Sequence, residues 1–500
     1  MRIRRRVLCS GIGVLTSIQF LLSPTSQATT TAPGKASLDE GPGISQERVS
    51  AHLAQFERIA DAHGGNRASG TGGHAASIDY TEGILKRAGF RTHRQQFPFR
   101  YTETLKERLA LHDGTTPSVV AAGYSPSTPK GGLERRIVAP GDGEPVPGCA
   151  ADDYAGTSVR GAIALVAADG CEMDEKERVA AAAGAEAILV ANTGPGELHA
   201  WLASDGRARI PVGGVSRATG VRLAREADTG RRVRLDLRSL TETRTTENLI
   251  AVSLQGDAEH TVVSGAHLDS VPEGPGINDN GVAAAVLLEA ALDSARQGGA
   301  VGGNRLVFGF WGAEEFGLLG SRHYVDALSA PQRERTELYL NLEMIGSPNP
   351  GLFTLDPHAT DPVSGQRPAP GAESIARRLT EAFAERGYAS RPAPADGRSD
   401  YVPFVAAGIP TGGLYGGSFE TKTREQAALW GGTAGAPFDP CYHLPCDRTR
   451  QYSPKAAALH ADAFRQVLRH YTRHPLSAPD SGSAAVPGAT SGRDADGSRG

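Results

Sequence analysis

An apolar pair, Val262-Val263, runs into the glycine-rich stretch G-A-H-L-D-S-V-P-E-G-P-G-I-N-D-N-G (265–281), which leads directly into an Ala-rich helical pattern over 282–292. A chain that sets His267, Asp269 and Asp279 in a loop between a strand and a helix is directed toward an α/β fold with a site at a sheet end. Imidazole is the commonest protein metal ligand, and a nearby carboxylate can bind the same ion or hold the imidazole's other nitrogen. Alone, an H-x-D pair reads more readily as a surface loop. Three further segments change that reading. The apolar run R-L-V-F-G-F-W-G (305–312) meets Ala313-Glu314-Glu315, L-Y-L-N-L (338–342) ends at Glu343, and C-Y-H-L-P-C occupies 441–446.

Two strands ending in carboxylates, one ending in His and Asp, and a late His supply the parts of a zinc pair with oxygen and nitrogen ligands. Three protein ligands per ion, one of them shared, leave an open position for water. Crowded carboxylates need counter-charge, since two like charges 4 Å apart repel by about 4 kcal/mol at an effective dielectric of about 20. Metal ions supply it most simply.

Five hundred residues exceed one core, so two folded units with tails are expected. A net charge of −4 shows no basic excess and gives no reason to expect a nucleic-acid partner. Arg2, Arg4, Arg5 and Arg6 precede an apolar stretch over 7–22 and then Ser26-Gln27-Ala28. This pattern predicts a secretory signal peptide over 1–28, with no membrane attachment after cleavage. The stretch falls short of the about 20 apolar residues a spanning helix needs, and it contains Ser10, Thr16, Ser17 and Gln19. Cleavage would remove Cys9 and leave Cys149, Cys171, Cys441 and Cys446, an even number that favours disulfides in an exported chain.

Residues 29–44, rich in Thr, Pro and Gly, read as a linker or pro-segment. Helical spacing follows over 49–60 and 78–88, with a loop G-G-N-R-A-S-G-T (64–71) between. Short apolar strands near 136–138, 162–166 and 187–190 and a helix over 175–183 suggest a separate small α/β insertion over 117–239. It holds Cys149 and Cys171, which either bridge or remain buried thiols. The rest of the chain, 45–116 and 240–474, forms the unit that carries the metal segments. It includes a strand near 247–252, another over 408–415, and helices over 316–330, 375–386 and 454–471. The tail 475–500 has the composition of disorder.

These residues resemble the secreted M28 family of zinc aminopeptidases, particularly the actinobacterial type, over roughly 45–114 and 245–473. The motifs H-x-D-S, N-D-N-G, A-E-E-x-G-L-x-G-S, N-x-E-M-I-G-S-P and C-Y-H stand in matching order. The insertion looks like a protease-associated (PA) domain through G-C-x-x-x-D-Y, G-A-I-A-L-V and A-G-A-E-A-I-L-V-A-N. The resemblance implies a mixed, largely parallel central sheet flanked by helices, the zinc exopeptidase fold. It implies Asp279 bridging two zinc ions, His267 and Glu343 completing one ligand set, Glu315 and His443 the other, and Glu314 as general base. Adjacent Glu314 and Glu315 suit that division, since one can ligate while the other takes a proton. Asp269 is expected to orient His267. Tyr442 either hydrogen-bonds the oxyanion or packs beside a ligand. Three negative charges from Asp279, Glu315 and Glu343 against two zinc ions leave +1, which a hydroxide neutralises.

The family usually carries Asp where this chain has Glu343. Glu is longer by one carbon–carbon bond, about 1.5 Å, while metal sites tolerate about 0.2 Å in ligand distance. The same carboxylate helps hold the substrate's free amine, so Glu343 bears on which peptide end is recognised. Arg398 falls in a loop, R-S-D-Y, that lines the family's substrate pocket, or alternatively one where Ser399 or Asp400 caps a helix. A Cys441–Cys446 bridge would fix the turn that bears Tyr442 and His443; free cysteines there could instead ligate metal. The resemblance implies a secreted, monomeric dizinc exopeptidase acting on peptides or proteins with a free N-terminus. A carboxypeptidase or dipeptidase, and a binding protein without activity, are the other readings.

Overall fold

The computed structural model describes residues 43–476 apart from 142–144, 195, 205, 299–300 and 394. The expected signal peptide lies outside the described residues, as do nearly all of the linker and the tail. Four strands, Thr411–Tyr415, Thr336–Glu343, Asp257–His267 and Asn304–Trp311, lie side by side in that order and run parallel. Antiparallel neighbours close this block on both sides: Phe353–Leu355 on the first strand and Arg232–Val252 on the last. The sheet is therefore mixed and largely parallel, as expected. Parallel strands need a crossover, and the helix Val282–Arg296 supplies one between Asp257–His267 and Asn304–Trp311. Its Ala-rich surface lets it lie close on the sheet. It shares a core with Leu306, Phe308, Leu338 and Leu340 and with Phe464 and Leu468 of the helix Pro454–Arg473. The opposite face is aromatic, with Trp311, Tyr324, Tyr339 and Phe404 packed together. Burial on both faces explains why these strands read as continuous apolar runs.

The PA-like insertion has a sheet of its own, with Leu133–Val138, Ile163–Ala167, Ala187–Ala191 and Val212–Val215 parallel and Val120–Ala121 antiparallel at the edge. The helices Met173–Ala182 and Arg217–Asp228 accompany it, and Cys149 and Cys171 are bridged with Cα atoms 5.9 Å apart. A long ribbon links the two sheets. Arg91–Ala110 pairs antiparallel with Arg232–Val252, from Arg91 opposite Val252 to Ala110 opposite Arg234. One end of that second strand pairs with Leu133–Val138 and the other with Asn304–Trp311. The boundary expected at 239/240 thus falls inside one continuous strand that serves both sheets.

The helix expected over 316–330 is only Leu319–Asp326. Residues 316–318 instead turn tightly beneath the site, with the backbone N–H groups of Gly317 and Leu318 both donating to Glu314 O at 2.9 Å and Leu318 at φ 60°. The strand expected over 408–415 begins at Thr411.

Candidate active site

The strand ends carry the chemistry. His267 and Glu343 are the last residues of their strands, and Glu314 and Glu315 follow Trp311 after the turn at Gly312-Ala313. Asp279 lies in the short segment Ile277–Gly281 that opens the crossover helix, and His443 sits inside the Cys441–Cys446 bridge. Three non-glycine residues at these positions are left-handed: Ala313 at φ 52°, Met344 at 46° and His443 at 58°. Such backbone costs about 1–3 kcal/mol per residue and persists where its surroundings over-determine it. At His443 the Cys441–Cys446 disulfide, with Cα atoms 5.4 Å apart, closes the turn around it.

Asp279 stands between the two imidazoles. Its Oδ1 lies 3.3 Å from His267 Nε2 and its Oδ2 3.1 Å from His443 Nε2. Glu343 Oε1 is 3.4 Å from His267 Nε2, and Glu315 Oε2 is 3.1 Å from His443 Nε2. Glu314 Oε2 lies 3.8 Å from His267 Nε2, farther than either of that imidazole's other carboxylates. The groups also fall into two triads, His267/Asp279/Glu315 and His267/Glu314/Glu343, whose donor atoms lie within 4.8 Å of one another. The shortest approaches favour a different division, with Glu343 beside His267 and Glu315 beside His443.

Burial and the neighbouring charges disturb several of these groups. Desolvation pushes the Glu314 carboxyl well up, aided by Asp400, Glu343 and Glu315, and lifts Glu315 to about 7, aided by Asp279. Burial disfavours a charged imidazole, but Glu314 and Glu343 outweigh it and raise His267, while Glu315 and Asp279 raise His443 to about 10. His267 Nε2, His443 Nε2, Asp279 Oδ2 and Glu315 Oε1 are buried without hydrogen-bond partners. Orphaned imidazole nitrogens and carboxylate oxygens facing one another suit divalent zinc, which takes these donors and relieves their repulsion.

Asp269 lies against His267 and reaches a second group as well. His267 Nδ1 is 3.2 Å from the Asp269 backbone carbonyl but 3.7 Å from its carboxylate, which instead accepts from the Glu314 backbone N–H at 3.3 Å. Asp269 therefore steadies both His267 and the turn that bears Glu314. Arg398 donates from Nη2 to the Tyr442 hydroxyl at 2.9 Å, with its guanidinium 4.5 Å from the Phe419 ring centre. The helix Tyr401–Ala406 begins without a side-chain cap, and Ser399 donates to Glu343 Oε2 at 2.6 Å instead. Asp279, Glu314, Glu315, Glu343, Arg398 and Tyr442 line an open cleft, whose other walls include Leu355, Tyr401, Leu414 and Tyr415.

Two supporting residues were not legible as such. Asp447 accepts the backbone N–H groups of Asn278 and Asp279 at 2.7 and 3.0 Å, tying the His443 segment to Asp279. Arg67, from the G-G-N-R loop, is fully buried and donates to three carbonyls of the 265–281 loop: Leu268 O, Pro275 O at 2.9 Å and Gly276 O at 2.6 Å. Its guanidinium thus spans the stretch between His267 and Asp279. Arg67→Met should leave those carbonyls without a donor and lower stability by about 3–5 kcal/mol, read as the melting temperature of chelated protein by calorimetry. A midpoint within about 2 °C of the parent would refute the role.

The peptidase family M28 model matches residues 248–468, and the PA domain model matches 134–223. The chain is 39% identical over 409 residues to "Probable lipoprotein aminopeptidase LpqL" of Mycobacterium tuberculosis, covering 81% of this chain and 80% of that one. In three dimensions it is similar to an aminopeptidase from Aneurinibacillus sp. strain AM-1, with a TM-score of 0.67, 24% identity, and 87% and 96% of the two chains covered. It is also similar to BSAP, a zinc aminopeptidase from Bacillus subtilis, with a TM-score of 0.64, 25% identity, and 86% and 96% covered. With the strand-end cluster of imidazoles and carboxylates and the inserted second sheet, these matches place the chain in peptidase family M28, among its zinc aminopeptidases, with a PA domain inserted.

Proposed function

We propose that this protein is an exported aminopeptidase that holds two zinc ions and removes the N-terminal residue from peptides. The observation that carries the reading is the posture of Asp279, which turns one carboxylate oxygen toward His267 and the other toward His443. His267 and Glu343 would hold one ion with Asp279, and His443 and Glu315 the other. Zinc held by these residues would supply Lewis-acid chemistry at the scissile carbonyl.

The chain's own groups do the rest. Glu314 takes the proton of the attacking water and returns it to the leaving amine, its carboxyl standing in the wall of the cleft beside His267. Tyr442, its oxygen already accepting from Arg398, keeps its own proton to donate to the developing oxyanion. Glu343 and the Arg398 loop border the space where the substrate's amine sits, and the apolar walls at Leu355, Leu414 and Tyr415 receive the first side chain. Two disulfides and the similarity to a named lipoprotein aminopeptidase support export. Among the described residues no helix is long and apolar enough to cross a membrane.

Leu-Gly-Gly and its N-acetylated form, digested in parallel and resolved by mass spectrometry, test the reading. Leucine released from the free peptide alone is the expected result. Equal cleavage of the acetylated peptide, or release of the C-terminal glycine, would favour a carboxypeptidase, with Glu343 as its cause.

A further inference from the structure

We propose that Trp311, Tyr339 and Asn341 form a one-way hydrogen-bond chain that fixes how Glu343 presents its carboxylate, with Gly265 as the gap through which it passes. The inference rests on the reading of Glu343 as a metal ligand. Tyr339, Asn341 and Glu343 alternate along one strand and so project from one face of it, while Leu338, Leu340 and Leu342 turn to the opposite core. Trp311 ends the strand Asn304–Trp311, on the far side of Asp257–His267. Its indole reaches Tyr339 across Gly265. A Cβ on that glycine would lie 2.3 Å from Trp311 Nε1 and 2.5 Å from the Tyr339 hydroxyl, so any side chain there closes the passage.

The polarity of the chain follows from its first member, because an indole N–H only donates. Trp311 Nε1 donates to the Tyr339 hydroxyl at 3.0 Å, so the Tyr339 proton goes to Asn341 Oδ1 at 2.9 Å. The Asn341 amide is thereby oriented, and Nδ2 donates to Ser399 Oγ at 2.7 Å. Ser399 spends its proton on Glu343 Oε2 at 2.6 Å. Phe404, stacked on Tyr339 with ring centres 3.6 Å apart and planes 3° from parallel, holds the phenol flat. Each of these side chains is buried. The result is a Glu343 whose Oε2 is occupied, leaving Oε1, on the His267 side, to ligate. Glu has one more rotatable bond than Asp, and this chain removes that freedom before a metal arrives. Trp311, Tyr339 and Asn341 are positioning residues in this account, acting on the site through Glu343.

A double-mutant cycle between Tyr339→Phe and Glu343→Asp tests it, read as zinc affinity by competition with a fluorescent chelator. Tyr339→Phe keeps the ring and its stacking and removes only the hydroxyl. It should weaken zinc binding by about 10–100-fold in the parent. In the Glu343→Asp background it should change affinity by less than about threefold, because a carboxylate about 1.5 Å shorter no longer reaches Ser399. The same factor in both backgrounds, or unaltered zinc affinity in the single Tyr339→Phe variant, overturns the proposal. Should Tyr339→Phe not fold, Ser399→Ala replaces it in the cycle with the same two outcomes. Glu343→Gln separates the premise: zinc affinity indifferent to it would remove Glu343 from the ligands, and the chain's purpose with it, whatever the peptide assays return.

Discussion

Glu314→Gln should lower kcat by about 10²–10⁴-fold, the range set by a positioned general base, while leaving KM and zinc content close to those of the parent. The replacement is isosteric, and the Glu314 backbone N–H still donates to Asp269 Oδ1, so the turn after the strand Asn304–Trp311 survives. Glu314 lies 3.8 Å from His267 Nε2, outside the 3.3–3.4 Å of Asp279 and Glu343, which is why a proton-handling role suits it better than ligation. Steady-state kinetics with a metal assay on the same sample checks both halves. Loss of zinc together with activity would make Glu314 a ligand instead.

Asp279→Asn should remove both ions. Its two oxygens face different imidazoles, at 3.3 and 3.1 Å, and among the described residues no other carboxylate comes within 4.0 Å of both. The expected fall in zinc affinity exceeds the about 10–100-fold typical of groups that merely support a ligand. Glu315→Gln, by contrast, disturbs only the His443 side and should spare one ion. Metal content after dialysis distinguishes them: near zero for Asp279→Asn and about half for Glu315→Gln. Equal losses in the two variants would contradict a shared Asp279.

Much of this site was readable from the residues because its donors sit where strands stop, and a strand stops visibly when an apolar run meets glycine or a charge. His267, Glu314, Glu315 and Glu343 all follow such runs. The crossover helix was equally legible in its Ala-rich periodicity. What escaped was held by long-range geometry. The ribbon Arg91–Ala110 with Arg232–Val252 is built largely from polar, half-exposed residues and carries little apolar signal. Arg67 reads as one charge in a glycine-rich loop, and only the fold brings it under carbonyls about 200 positions away. A helix cap by Ser399 or Asp400 stayed open beside the pocket-loop reading because Ser and Asp are favoured before a helix. The Ser399 bond to Glu343 depends on the Arg398 loop lying against the strand Thr336–Glu343. The helix expected over 316–330 overran because Phe316 and Leu318 continue an apolar pattern while the chain there turns back to shape the site.

The measurement that bears most directly on the central claim uses the chain from Thr29 onward, stripped by chelation and titrated with zinc while the hydrolysis of leucine p-nitroanilide is followed. Activity absent from the stripped protein and rising to a plateau at two equivalents of zinc is the predicted result. A plateau at one equivalent would contradict the two-ion site shared through Asp279, and no activity at any zinc level would contradict the aminopeptidase reading itself.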